Sequence, residues 1–148
     1  MLIVGAFCGV IIFLVIGKFP RFGVGPFLLF LFSLLVGIGL LSLLSLMIAL
    51  FAFILEDSTF VRLLINKLYF IFGGLFFPLD IYPGWMQTIA EFFPFKYYLY
   101  APAKFFTTGD IQFFVEYFPF QVGWLVVVAL FVWWLYERAV RRLEVNGG

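Results

Sequence analysis

The chain has 148 residues, of which 66% are hydrophobic and 11% charged, with a formal net charge of +1. A soluble domain carries about 25% charged residues to meet water, so this composition excludes a protein folded in solvent and points to an integral membrane protein. A near-neutral charge gives no basic face for nucleic acid. The absence of histidine and the single cysteine, Cys8, exclude a zinc site, an internal disulfide and a Cys–His or Ser–His dyad.

The first apolar block, LIVGAFCGVIIFLVIG at residues 2–17, holds no charge and would be about 24 Å long as a helix. A signal peptide would need a basic stretch before it and a small-residue cleavage site after it. Neither is present, so the block reads as a true span. Beginning at Met1 without a polar flank, it looks cut, as though further spans lay upstream. Gly5 and Gly9 form a GxxxG pair on it. KFPRFGVGP, residues 18–26, is loop chemistry.

The second block, residues 27–55, would be about 43 Å long and must tilt, kink or protrude. Gly37, Gly39, Ser42 and Ser45 place small residues where another helix can approach. EDST, residues 56–59, interrupts the run and supplies helix caps. A third span over residues 60–79 has to include Arg62, Asn66 and Lys67 to reach a ~30 Å hydrocarbon core. Lys67 is open to two readings, a membrane-buried cation or a long-stemmed lysine reaching the interface.

The last span covers residues 118–136. Trp124 stands towards one end and Trp133, Trp134 and Tyr136 at the other, as interfacial aromatic belts do. Arg138, Arg141 and Arg142 follow closely, a cluster retained on the cytoplasmic side. Counting back from that anchor puts residues 78–117 outside, EDST inside and the loop at 18–26 outside. Lys18, Arg21, Lys96 and Lys104 would then all be external.

Between the last two spans lies FFPLDIYPGWMQTIAEFFPFKYYLYAPAKFF, residues 76–106, crowded with prolines and aromatics. Pro78 and Pro83 end the preceding span, because proline lacks the N–H that a helix interior needs. GWMQTIAEFF can form a short helix, with Trp85, Ile89, Phe92 and Phe93 on one side and Gln87 and Glu91 on another. Pro94 stops it. A second short helix from Phe95 to about Phe106 would be kinked at Pro102. Two such stubs cannot cross a bilayer. They can dip into the outer interface and fold back, with Tyr97, Tyr98 and Tyr100 at a half-wet depth.

This region resembles the signature of ABC-2 type transporter permeases. A Gly-rich run ends in Pro, a Pro-x-Trp turn follows, then an acid-bearing short helix, a Pro-Phe break and a Tyr-containing segment with another Pro. The matching positions are Gly73, Gly74, Pro78, Leu79, Pro83, Trp85, Glu91, Pro94, Phe95 and Pro102, and Asp80 lies within the motif. The terminal YERAVRRLEVNGG is similar to the basic tail of these permeases, and the resemblance covers most of residues 27–148. It implies one all-α membrane domain over 1–148, a polytopic bundle of about four spans with an external re-entrant hairpin at 80–106 capping a translocation route. It also implies a bacterial inner membrane, a second permease subunit (homo- or heterodimer) and a cytoplasmic ATPase. Family members have six spans and an internal coupling helix; here those elements would lie upstream of Met1.

No G-x-x-x-x-G-K-[ST] stretch occurs, since Gly17-Lys18 is followed by Phe19, so ATP hydrolysis falls to a partner and no cofactor is expected. Glu56 and Asp57 are set either as contacts to that ATPase or as caps of the next helix. A membrane hydrolase would need a second acid at helical spacing within an apolar span, and none is there. A channel would need polar residues recurring along one face of a span, which the second block lacks. A non-transporting membrane scaffold stays open as the alternative.

Overall fold

The computed structural model describes residues 23–55, 59–75 and 77–146, and every regular element among them is helical. The expected first span, with Gly5, Cys8 and Gly9, lies outside the described residues, as do Glu56 and Asp57. Five α-helices follow in order: α1 (Val24–Leu55), α2 (Thr59–Phe72), α3 (Gly84–Glu91), α4 (Ala101–Thr108) and α5 (Ile111–Asn146). A 3-10 turn at Leu79–Ile81 precedes α3, and a π turn at Lys96–Tyr100 runs into α4.

α1 and α5 are long and apolar enough to cross a membrane, over Val24–Phe53 and Ile111–Arg141. Only 22% of the apolar window of each is buried within the chain, unlike a core helix of a soluble protein. What is buried forms a stripe. On α1 it is Ser33, Gly37, Leu40 and Leu44; on α5 it is Phe114, Tyr117, Gln121, Val128, Val132, Leu135 and Ala139. Both follow the three- and four-residue steps of one helix face. The ring pairs Phe32–Phe118 (5.5 Å) and Phe51–Phe131 (6.2 Å) align the helices in the same direction. This is the relative sense that the expected topology requires of its second and last spans.

α5 exceeds its expected bounds at both ends. It starts seven residues before Phe118 and carries the basic tail on as helix to Asn146, with Pro119 inside it. Its start is fixed by the joint TTGD. Gly109, in the left-handed region, donates its N–H to Phe105 O (2.8 Å) and closes α4; Asp110 Oδ1 accepts from Gln112 N (2.9 Å) and caps α5.

α2 departs from expectation. It has 14 residues, about 21 Å, where a span over 60–79 was expected. The helix stops at Phe72 because Gly74 takes a φ of +74° and its Cα abuts the Tyr100 ring; a Cβ there would lie 2.9 Å from that ring. Hydropathy extends the run to Leu79, but the backbone turns at the glycines. The inner face of α2, with Ile65, Leu68, Tyr69 and Phe72, packs on the α1–α5 core.

The segment after α2 folds into two short helical arms, a hairpin, that start and break at its prolines. Pro78 precedes the 3-10 turn and Pro83 precedes α3, each in the extended conformation its ring favours. Pro94 opens the second arm. The kink expected at Pro102 takes the form of the π turn, in which Ala101 N–H reaches back to Lys96 O. Pro102 cannot donate to the Tyr98 carbonyl and its ring crowds it, and a wider turn just before the proline relieves that clash.

The two arms differ in role. Phe95, Tyr97, Tyr98, Ala101 and Phe105 are buried against α1 and α5, so the expected half-wet position of Tyr97 and Tyr98 is corrected: both are core. Gly37 makes room for them. A Cβ at that position would lie 3.0 Å from the Tyr98 carbonyl oxygen. Trp85 and Phe92 of α3, by contrast, face outward at 65% and 73% exposure. Only the small Ala90 of that helix is fully buried.

Candidate functional site

Three polar groupings stand out in this apolar chain. The first ties the hairpin together. Asp80 Oδ1 accepts from Lys104 Nζ (2.6 Å) and Oδ2 from the Tyr100 hydroxyl (2.5 Å), joining the 3-10 turn to α4 and to the π turn before it. Gln87 Nε2 donates to Tyr82 O (2.8 Å), and Tyr82 OH to Ile71 O (3.2 Å), which tethers the hairpin to the end of α2. Glu91 Oε1 accepts from Lys96 Nζ (3.0 Å) while the Glu91 carbonyl accepts from Tyr97 OH (3.0 Å), closing one arm on the other.

The bond from Lys104, then that from Tyr100, holds the Asp80 carboxyl below its ordinary range. Burial and the Asp80 bond push the Tyr100 hydroxyl well above the ordinary tyrosine value, so it stays a donor. Burial, with Glu91 nearby, also raises Tyr97.

The second grouping lies between the two long helices. Gln121 Nε2 donates to the Ser33 carbonyl (2.9 Å), which fixes the orientation of its amide, and Gln121 Oε1 accepts from Ser33 Oγ (3.0 Å). Ser33 Oγ lies 2.8 Å from Tyr117 OH, and its one proton points at Gln121, so Tyr117 is the donor. Ser33 and Gln121 have no exposed surface. This is a lock between helices with no room for a ligand.

The third is a groove of about 670 Å³ between the hairpin and the first turns of α5. Glu91, Lys96 and Glu116 stand on its walls with Tyr97, Phe113, Phe120 and Trp124. Phe120 and Trp124 also line a depression of about 270 Å³ that continues along α5 past Pro119 and Gly123 to Val127.

The sequence motif of Pro78, Asp80, Pro83, Trp85, Glu91, Pro94, Phe95 and Pro102 is thus gathered into one hairpin. Asp80, Glu91, Pro94, Phe95 and Pro102 make or abut its internal packing, and Trp85 points away from it. Lys67 is not part of this grouping; it lies with Asn66 on the exposed face of α2. Arg138 stacks its guanidinium over the Trp134 ring (4.2 Å) and Arg141 pairs with Glu137 (3.8 Å), while the Arg142 side chain lies outside the described residues. Ser33, Tyr117, Gln121 and the groove were not singled out from the sequence, and Lys104 was read there only as an external cation. Gln121, the one uncharged amide in the last apolar block, was the available signal for the lock. Among the described residues no cluster of acidic residues or cysteine is arranged to hold a metal ion.

Two exposed apolar helices of crossing length, running in the same sense, are the features of a membrane protein. The family model of the ABC-2 type transporter matches residues 1–106, and the chain belongs to that family. The matched part is thus a membrane domain of the permease kind, a transport component of an ABC transporter. The match takes in the first apolar block and ends within α4, so it reaches further upstream and less far downstream than the resemblance read from residues 27–148. No protein of curated function and no solved structure matches the chain.

Proposed function

We propose that the chain forms part of the export pathway of an ABC-2 exporter in a bacterial inner membrane, paired with a second permease subunit and driven by separate cytoplasmic ATPase subunits. The parallel course of α1 and α5 carries this reading. With both starting at one membrane face, the hairpin packed at that shared end caps the bundle from outside, and its second arm reaches down α1 past Gly37, where Phe95 and Tyr98 join the core cluster of Leu40 and Leu44. The outward apolar face of α3, with Trp85, Ile89 and Phe92, then rests in the outer interface. ATP-driven closure of the cytoplasmic ends would move α1 and α5 against each other, and the hairpin, joined to both, would follow.

Affinity purification of the tagged chain from its native membrane tests this. The expected outcome is co-purification of a P-loop ATPase whose hydrolysis rate changes when the permease is present. A chain that purifies without any ATPase, together with unaltered export when its gene is deleted, would instead fit a scaffold.

A further inference from the structure

We infer that the groove along the start of α5 binds a cationic amphiphile, a single apolar tail carrying one positive organic head group, and that this is the class of compound exported. The inference rests on the exporter reading above and deepens it. The groove has a charged end and an apolar end. At the charged end Lys96 is already paired with Glu91, whereas Glu116 takes one hydrogen bond, from Gln112 Nε2 (3.2 Å), and has no cationic partner among the described residues. One carboxylate is thus left over. Lys96 Nζ already lies over the Tyr97 ring (5.8 Å) and Lys104 Nζ over the Phe113 ring (5.2 Å), so the aromatic surface beside Glu116 that is left for an organic cation is that of exposed Phe120.

The apolar end supplies the tail. Phe120 and Trp124 are shared between the groove and its continuation, whose other walls are Pro119, Gly123 and Val127, with no charged group among them. From Glu116 to Val127 is eleven residues, or about 16 Å along α5. This end is shallow and open: Gly123 is exposed, a Cβ there would meet nothing within 4 Å, and Phe120 and Val127 beside it are exposed as well. An anionic amphiphile would place its head against Glu116, and a neutral one would leave that carboxylate without an ion, so the charge order selects the cation.

The full chain, reconstituted in phosphatidylglycerol nanodiscs without any ATPase, is titrated with an alkyltrimethylammonium bearing a brominated tail. Quenching of Trp124 is read against a Trp124→Phe control. Expected is saturable quenching with the cation and none with the alkyl sulfonate of the same tail. Glu116→Gln should weaken binding roughly three- to tenfold. Gly123→Leu, which puts a side chain into the shallow end without strain, should weaken it as well. Equal binding of the sulfonate, or unchanged affinity in both variants, overturns the inference. So does loss of binding on exchange to phosphatidylcholine discs, which would assign the groove to the bilayer's own head groups. Because no ATPase is present, failure here leaves the exporter reading standing, and failure to co-purify an ATPase leaves the binding result standing.

Discussion

Gly37 and Gly123 are both glycines on crossing helices, yet their surroundings demand opposite things. At Gly37 a Cβ would press on the Tyr98 carbonyl at 3.0 Å and on Gln121 Nε2 at 3.3 Å, so the second hairpin arm or α5 would have to retreat. Gly37→Ala is expected to lower unfolding stability by about 1–3 kcal/mol, the usual range for overpacking. Gly123→Ala, with open space around it, should leave it equal or raise it by up to about 1 kcal/mol. Thermal unfolding of the two variants in the same detergent reads the contrast. Gln121→Leu should cost about 1–2 kcal/mol, since Ser33 Oγ and the Ser33 carbonyl both lose a partner where no water enters.

The hairpin ties have a pH signature with a defined sign. Asp80 has a folded value below its ordinary one, so its contribution is complete above about pH 4 and is lost as pH falls through that depressed value. Tyr100 has a raised folded value, so its contribution is complete below about pH 10 and is lost only on further alkalinisation. Hydrogen exchange of the Ile81 and Tyr82 amides should therefore be flat from pH 5 to 9 once corrected for the intrinsic rate. Asp80→Asn should speed it across that range. The effect will be modest, about 1 kcal/mol or less, because the pair is more than half exposed on the Asp80 side.

At the scale of elements, what the chain announced and what it concealed divide along a physical line. An uncharged run of 29 residues can only be a long helix in this setting, and α1 is that helix. Prolines 78, 83 and 94 act through their own rings, so the start and break of each hairpin arm were legible. The end of α2 was not. Hydropathy is blind to φ, and Gly73 and Gly74 read as ordinary residues of an apolar span until the Tyr100 ring is seen across from them. Gly74→Ala, which combines an unfavourable φ with that ring, is expected to destabilise the hairpin by about 1–2 kcal/mol, measured as earlier exchange of the residues between Phe77 and Tyr82. The Ser33–Tyr117–Gln121 lock and the groove were equally hidden, because they join residues 84 and 88 positions apart, or α3 to α5, and no local pattern encodes such a pairing.

For the whole molecule, the two ends of α5 are chemically unlike. Glu116 stands beside the hairpin, and Arg138 and Arg141 stand 22 and 25 residues on, about 33 and 38 Å away along the axis. That separation is the thickness of a ~30 Å hydrocarbon core plus a margin of interface. From Pro119 to Trp134 the exposed positions of α5, among them Val126, Val127, Leu130 and Phe131, are apolar, and Trp133 and Trp134 sit at the arginine end where an aromatic belt belongs. The Arg138 guanidinium lying over Trp134 fixes both at that level. If the basic end is cytoplasmic, a cysteine at exposed Thr88, in a Cys8→Ser background, must react with an impermeant maleimide added to intact cells. A cysteine at Arg141 must react only after permeabilisation. The mirror pattern would invert the orientation and move the hairpin to the cytoplasmic face. Labelling of both from one side would mean that α5 does not cross at all, which its unburied apolar surface gives no other means of covering except a second copy or another chain.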